Sequence, residues 1–207
     1  MSGRPDGDSR GNQAGDRYPR LLETKPDPQQ EHDHDPLTGV LNRRRFTEEL
    51  DRWIGYSRRY GGQGAVLVID VDHFKSINDA FGHAVGDQAL ARLGALLRER
   101  VRGTDVVGRL GGDEFTVLLP RADVEQSVTL ATAVLDKLRS EGTVTMTGRS
   151  IEVTASIGVA HFGQGAGLDS HQVLRDADMA MYEAKEAGRD RVHVSRVANG
   201  AGAVPGV

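Results

Sequence analysis

Arg109-Leu110-Gly111-Gly112-Asp113-Glu114-Phe115 lies between two apolar segments, Val106-Val107 on one side and Phe115, Val117, Leu118 and Leu119 on the other. The pattern reads as a β-hairpin. The glycines supply the positive φ of the turn and keep side chains away from a ligand that approaches the backbone. The two carboxylates then stand exposed at the tip, where the second strand begins. Hard oxygen ligands beside open backbone suit divalent cations and the phosphates that accompany them. A tight turn with solvated charges is the competing reading, because Gly-Gly and Gly-Asp pairs also mark ordinary hairpins.

Bulk composition narrows the field. The 207 residues are 38% apolar and 27% charged, with a formal net charge of −4. That is enough chain for one well-buried domain with additional segments. The acidic balance argues against broad binding to nucleic acid or anionic membrane. Cysteine is absent, which excludes disulfides, thiolate nucleophiles and Cys-based zinc sites. Residues 1–31 hold four of the seven prolines (Pro5, Pro19, Pro26 and Pro28) and are expected to form a disordered arm. Residues 197–207 read as a second disordered tail. The arm has no apolar core of the kind a secretory signal needs, and the apolar run Ala65–Ile69 is too short to span a bilayer, so a cytoplasmic location is expected. The tract Glu31-His32-Asp33-His34-Asp35 invites a metal-site reading, but it is expected to be a flexible polar stretch.

Between the tails, helical and strand periodicities alternate. Asn42 is placed to cap a helix running to about Arg59, with Phe46, Leu50, Trp53 and Ile54 on one face. Ala65–Ile69 reads as a strand buried on both faces. A helix is expected from about Asp87, as its N-cap, to Arg100, and another carries Val124, Val128, Ala131, Leu135 and Leu138. Strands are expected near 142–148 and 151–161, then a helix over 170–187 and a short strand at Arg191–Val194. This order specifies a single α/β domain whose sheet is covered by helices.

The first buried strand ends in Asp70-Val71-Asp72, where open sheets present ligands with a crevice. Alternation puts Asp70 and Asp72 on one side, so that one of them could meet Asp113 and share a metal. A strand-end Asp also caps turns, which is the other reading of Asp72. The run from His73 to Asp87 is dense in polar groups. Lys75 offers a point charge to phosphate. Asn78 and Asp87 offer an amide and a carboxylate suited to the donor-rich edge of guanine. Lys185 and Arg189 could satisfy the end of the last helix or bind phosphates.

These residues together resemble the GGDEF family of diguanylate cyclases. Asp35-Pro36-Leu37-Thr38-Gly39-Val40-Leu41-Asn42-Arg43-Arg44 is similar to the family's opening signature, and Asp70 to Leu90 to its second block. Arg109 to Phe115 is its name-giving motif. Ser156-Ile157-Gly158-Val159-Ala160 and Tyr182-Glu183-Ala184-Lys185 with Gly188-Arg189 complete the likeness, which covers about residues 33–195. The resemblance implies an α+β domain of the nucleotide-cyclase and polymerase-palm kind, spanning 32–196, with a mostly antiparallel central sheet.

The implied reaction condenses two GTP into cyclic di-GMP and two pyrophosphates. Asp70 and Asp113, with the Val71 carbonyl, would hold two Mg²⁺ or Mn²⁺ ions. Glu114 would activate the attacking 3′-hydroxyl. A free Glu, of pKa about 4.3, is a weak base alone, which favours metal-assisted deprotonation with Glu114 orienting. Asn78 and Asp87 would read guanine, and His83 would support the ribose or base pocket. Lys75, Lys185 and Arg189 would hold phosphates, and Gly111 and Gly112 would let the nucleotide lie against the backbone. Two domains must face each other, so a transient homodimer is implied. Arg102 and Asp105, five residues and more ahead of the tip glycines, fall at the family's product-inhibition site. Two departures stand out, Asp190 for a frequent Asn and Val40 for a larger apolar residue, and neither is expected to touch the chemistry. Three other functions fit less well: an idle nucleotide-binding signalling module, a cyclase with altered base choice, and a polymerase palm, against which the acidic charge weighs.

Overall fold

The computed structural model describes residues 32–141, 143–144, 150–163 and 169–195. The expected arm and tail, and most of the strand expected at 142–148, lie outside them. Six strands form one sheet in the order β1-β3-β4-β2-β7-β8. They are β1 (Leu41–Asn42), β2 (Gly64–Val71), β3 (Val106–Gly111), β4 (Glu114–Pro120), β7 (Ala155–Phe162) and β8 (Arg191–Val194). The long central pairings, β3 with β4, β4 with β2 and β2 with β7, are antiparallel, and only the edge strands β1 and β8 pair in parallel. A separate two-stranded ladder joins β5 (Thr143–Val144) to β6 (Ser150–Ile151). The mostly antiparallel sheet expected from the resemblance is therefore present.

The central strand β2 explains why the sheet is covered twice. All eight of its residues are buried. Ala65, Leu67, Ile69 and Val71 join one core with α3 (His83–Arg100) and α4 (Val124–Glu141). Val66 and Val68 point the other way, into a core made with α1 (Arg43–Tyr60) and α5 (Ser170–Glu186). A period of two thus feeds two helical layers, which is why the strand reads as a continuous apolar run. Asn42 caps α1 as expected, accepting from the Arg45 N–H at 3.0 Å.

Three expectations are corrected. A separate helix, α2 (Phe74–Phe81), precedes α3, and Gly82 (φ 83°) turns the corner between them. Its carbonyl accepts from the Val85 and Gly86 N–H groups, so α3 starts at His83, and Asp87 is an exposed residue inside the helix rather than its cap. The strand expected over 151–161 is broken at 152–154. The Asp72 N–H still donates to the Thr154 carbonyl at 2.9 Å, in register with the β2–β7 pairing, and the chain leaves strand geometry between there and β6. The polar tract 32–35 is ordered: Asp33 pairs with Arg44 and Arg45, His34 Nδ1 meets the Gly39 carbonyl, and Asp35 accepts from Thr38 and Arg109.

Two titratable groups make this fold acid-sensitive. Burial pushes the His161 imidazole below its ordinary value, outweighing the contacts with Asp123 that favour its charged form. Its Nε2 lies 2.9 Å from Ser127 Oγ. Burial acts to raise Asp35, but the hydrogen bonds from Thr38 and Arg109 outweigh it and hold this carboxyl below its usual range. Both folded-state values lie below the unfolded ones, so both contributions are complete at high pH and are lost as pH falls. The midpoint of urea unfolding should hold from pH 8 to about 6.5, fall as His161 is forced to protonate, and fall again below about 4 as Asp35 does. His161→Gln should remove the upper step. A midpoint that rises between pH 7 and 5.5 would contradict this assignment.

Candidate active site

The site forms where the ends of β2 and the β3–β4 hairpin meet α2 and the end of α5. Register pairs Asp70 with Glu114, and the Val71 N–H reaches the Asp113 carbonyl at 3.4 Å. The hairpin tip therefore folds back beside the end of β2. The tip is irregular, as its sequence demands: Gly111 has φ 144° and Gly112 φ 52°, with a bulge between Arg109 and Gly111.

A cleft of about 300 Å³ opens here, lined by Asp70, Val71, Asp72, His73, Phe74, Lys75, Ser76, Asp113, Lys185 and Arg189. Of the residues expected from sequence, Asp70, Val71, Asp113, Lys75, Lys185 and Arg189 are brought together. Glu114 pairs in register with Asp70 but is not among the lining residues. Asn78, His83 and Asp87 lie beyond the lining, on α2 and α3, with His83 and Asp87 exposed. Asn78 Oδ1 is buried without a hydrogen-bond partner and packs over Gly86, where a Cβ would stand 2.0 Å from it. An orphaned buried acceptor is uncommon and points to a missing donor. Arg102 and Asp105 form a separate turn: the Arg102 N–H donates to Asp105 Oδ2 at 2.8 Å, and the Asp105 N–H to the Arg102 carbonyl at 3.0 Å.

Electrostatics distinguish the two strand-end acids. Asp70 is 7% exposed, with Oδ1 2.9 Å from Lys185 Nζ. Burial raises its pKa, Lys185 opposes that, and the nearby Asp113 and Glu114 charges add to the rise. Even with the Lys185 ion pair, burial and its acidic neighbours leave this carboxylate above its usual range. Asp72 is fully employed: it accepts from Thr154 Oγ1 at 2.9 Å, Ser156 Oγ at 2.7 Å and the Asp190 N–H at 3.0 Å. It ties β2 to β7 and to the distant Asp190 turn, and does not cap the turn that follows β2. Among the described residues no group of three or more His, Asp or Glu side chains forms a closed cage for a metal. Two carboxylates and a carbonyl fit Mg²⁺ well when substrate phosphates supply the remaining oxygens.

Two supports of the tip escape a reading by motif. Arg109 donates to the Gly112 carbonyl through Nε at 3.0 Å and Nη2 at 2.6 Å, while its Nη1 reaches both Asp35 oxygens at 3.0 and 3.1 Å. The glycine turn is thereby tied to the start of the domain. Arg43 Nε donates to the Leu110 carbonyl at 2.7 Å, and its Nη2 lies 3.9 Å from Glu114. The Asp35-to-Thr38 spacing, that of a side-chain-capped turn, was the available signal for the first of these.

The sequence matches the family model described as "Diguanylate cyclase, GGDEF domain" over residues 32–191. It is 41% identical over 165 residues to diguanylate cyclase DgcP of Pseudomonas aeruginosa, covering 78% of this chain and 24% of that protein. It is also 41% identical over 166 residues to the probable diguanylate cyclase DgcC of Escherichia coli K12, covering 78% of this chain and 43% of DgcC. The coiled coil and GGDEF domain of DgcB from Caulobacter crescentus, solved in complex with c-di-GMP, superposes with a TM-score of 0.76 at 29% identity, over 80% of this chain and 87% of that one. This chain belongs to the GGDEF domain family. It spans less than half the length of the curated relatives just named. No helix among the described residues is long and apolar enough to cross a membrane.

Proposed function

We propose that this domain is an active diguanylate cyclase, converting two GTP into cyclic di-GMP and two pyrophosphates. The observation that carries the reading is the placement of the buried Asp70 beside Asp113 in one cleft that Lys75, Lys185 and Arg189 also line. Asp70, Asp113 and the Val71 carbonyl would hold two Mg²⁺ or Mn²⁺ ions. When bound, such ions neutralise the triphosphate and make the 3′-hydroxyl a better nucleophile.

The chain's own groups supply the rest. Lys75, at the start of α2, and Lys185 and Arg189, from the far wall, bind phosphate oxygens and stabilise the charge that develops on them. Asn78, with its orphaned acceptor, and Asp87 take the guanine N–H donors, and His83 closes the ribose side. Gly111 and Gly112 let the nucleotide lie on the hairpin. Glu114 orients the incoming hydroxyl and receives its proton. Each 3′-oxygen bonds to the α-phosphorus of the other GTP while the bond to the β-phosphate breaks and pyrophosphate leaves. Two such steps close the ring. One domain presents one GTP, so catalysis requires two copies in a transient C2 pair. Arg102, an exposed guanidinium on a turn that Asp105 holds, would bind product and inhibit.

The test is incubation with GTP and Mg²⁺, with products resolved by chromatography and mass. Cyclic di-GMP should form at a rate that rises faster than linearly with protein concentration. GTP binding without product at high protein concentration would instead identify an idle binding module.

A further inference from the structure

The segment after α5 carries three successive residues with positive φ: Gly188 (110°), Arg189 (61°) and Asp190 (47°). One such residue commonly closes a helix, and glycine takes it without strain. Two more that bear side chains are strained, so the surrounding structure must hold them. The hold is visible. The Arg189 N–H donates to the Ala184 carbonyl at 3.0 Å and the Asp190 N–H to Asp72 Oδ2 at 3.0 Å. Arg139, on the last turn of α4, then closes on Asp190 from outside. Its Nε meets both carboxylate oxygens at 3.0 and 2.8 Å, and its Nη2 meets the Asp190 carbonyl at 2.9 Å. Nη1 is itself steadied by Asp136 at 2.7 Å. The backbone N–H, the carbonyl and the carboxylate of Asp190 are all engaged, while Arg189 beside it projects into the cleft. Asp190 thus adjoins Arg189 in the turn that borders the cleft.

We infer that Arg139 is a positioning residue for Arg189: acting through Asp190, it holds the left-handed turn in the shape that presents the Arg189 guanidinium to the nucleotide's phosphates. This rests on the reading of the cleft as a GTP site. The pairing is multidentate and reaches backbone, which separates it from an ordinary surface ion pair. Without it the strained Arg189–Asp190 backbone is held only by its N–H bonds to the Ala184 carbonyl and Asp72, and its carbonyl and carboxylate lose their anchor.

The test uses 3′-deoxyGTP with Mg²⁺, which lacks the nucleophile and reports binding apart from turnover. Calorimetric Kd values are measured for wild type, Arg139→Ala, Arg189→Ala and the double variant, with melting temperatures alongside. Arg139→Ala should weaken binding by about tenfold, the low end for groups that orient a liganding side chain. In the Arg189→Ala background the same change should cost nothing further. Arg139→Lys, which keeps the charge but not the fork, should lose most of the affinity and guards against an unfolded alanine variant. Losses that simply add, or wild-type affinity in Arg139→Lys, would overturn the inference while leaving the GTP site intact. Failure of the wild type to bind the analogue would overturn the reading of the cleft and this inference with it.

Discussion

Asp113→Ala should cut cyclic di-GMP formation by at least about a hundredfold, the loss typical when one preorganised electrostatic contact is removed. The same variant should melt at the wild-type temperature or slightly above in the absence of divalent metal. The asymmetry follows from what Asp113 does in the fold. Its carbonyl accepts from the Val71 N–H, a bond that alanine preserves. Its carboxylate has no ion-pair partner among the described residues and adds a like charge beside Asp70, whose pKa it helps to raise. Removing it relieves repulsion and leaves packing untouched. A second measurement separates metal binding from the chemistry. Millimolar Mn²⁺ should raise the wild-type melting temperature by mass action and should fail to do so in the variant. Retained turnover, or an unchanged Mn²⁺-dependent stabilisation, would remove Asp113 from the metal site.

The parts of the molecule that local pattern controls were legible in the sequence. β2 announced itself as an apolar run, α1 by its Asn42 cap, and the hairpin by its glycines. Asp70 and Asp113 were legible because strand ends and turn tips are where a sheet opens. The boundary between α2 and α3 was not. Phe74, Ile77 and Phe81 stand at helical spacing in α2, but the break after it rests on the backbone of Gly82, and α3 begins there with no side-chain cap to mark it. The turn that presents Arg189 was hidden for a different reason. Its conformation is imposed by Asp72, 118 residues away from Asp190, and by Arg139, 51 residues away. Neither partner shows a spacing that points to the other. In the same way, Arg109 reaches Asp35 across 74 residues, and only the fold makes that pair adjacent. Local motifs mark the groups that line the cleft, and long-range contacts determine how those groups are held.

The most damaging single methyl group in this fold should be the one added by Gly158→Ala. β7 alternates like β2: Ile157 and Val159 enter the core beneath α3 and α4, so Gly158 faces α5. A Cβ at 158 would lie 2.0 Å from the Ala177 carbonyl oxygen and 2.2 Å from the Met181 N–H nitrogen. Those atoms belong to helix backbone and cannot rotate away as a side chain would, so α5 must lift from the sheet. Overpacking commonly costs about 1–3 kcal/mol, and a clash with backbone belongs at or beyond the upper end. For a domain of this size that lowers the melting temperature by on the order of 10 °C. The effect should reach the cleft as well, because α5 carries Lys185, 2.9 Å from Asp70, and leads directly into the Arg189 turn. The molecules that remain folded should therefore bind GTP more weakly than wild type at a temperature below both transitions. Gly55→Ala is the matched control: exposed on α1, with nothing within 4 Å of an added Cβ, it should stabilise by up to about 1 kcal/mol through helix propensity alone. If Gly158→Ala melted with the wild type, α5 would not be seated on β7 as closely as the structure places it. Lys185 and Arg189 would then have to reach the phosphates from a helix with room to move.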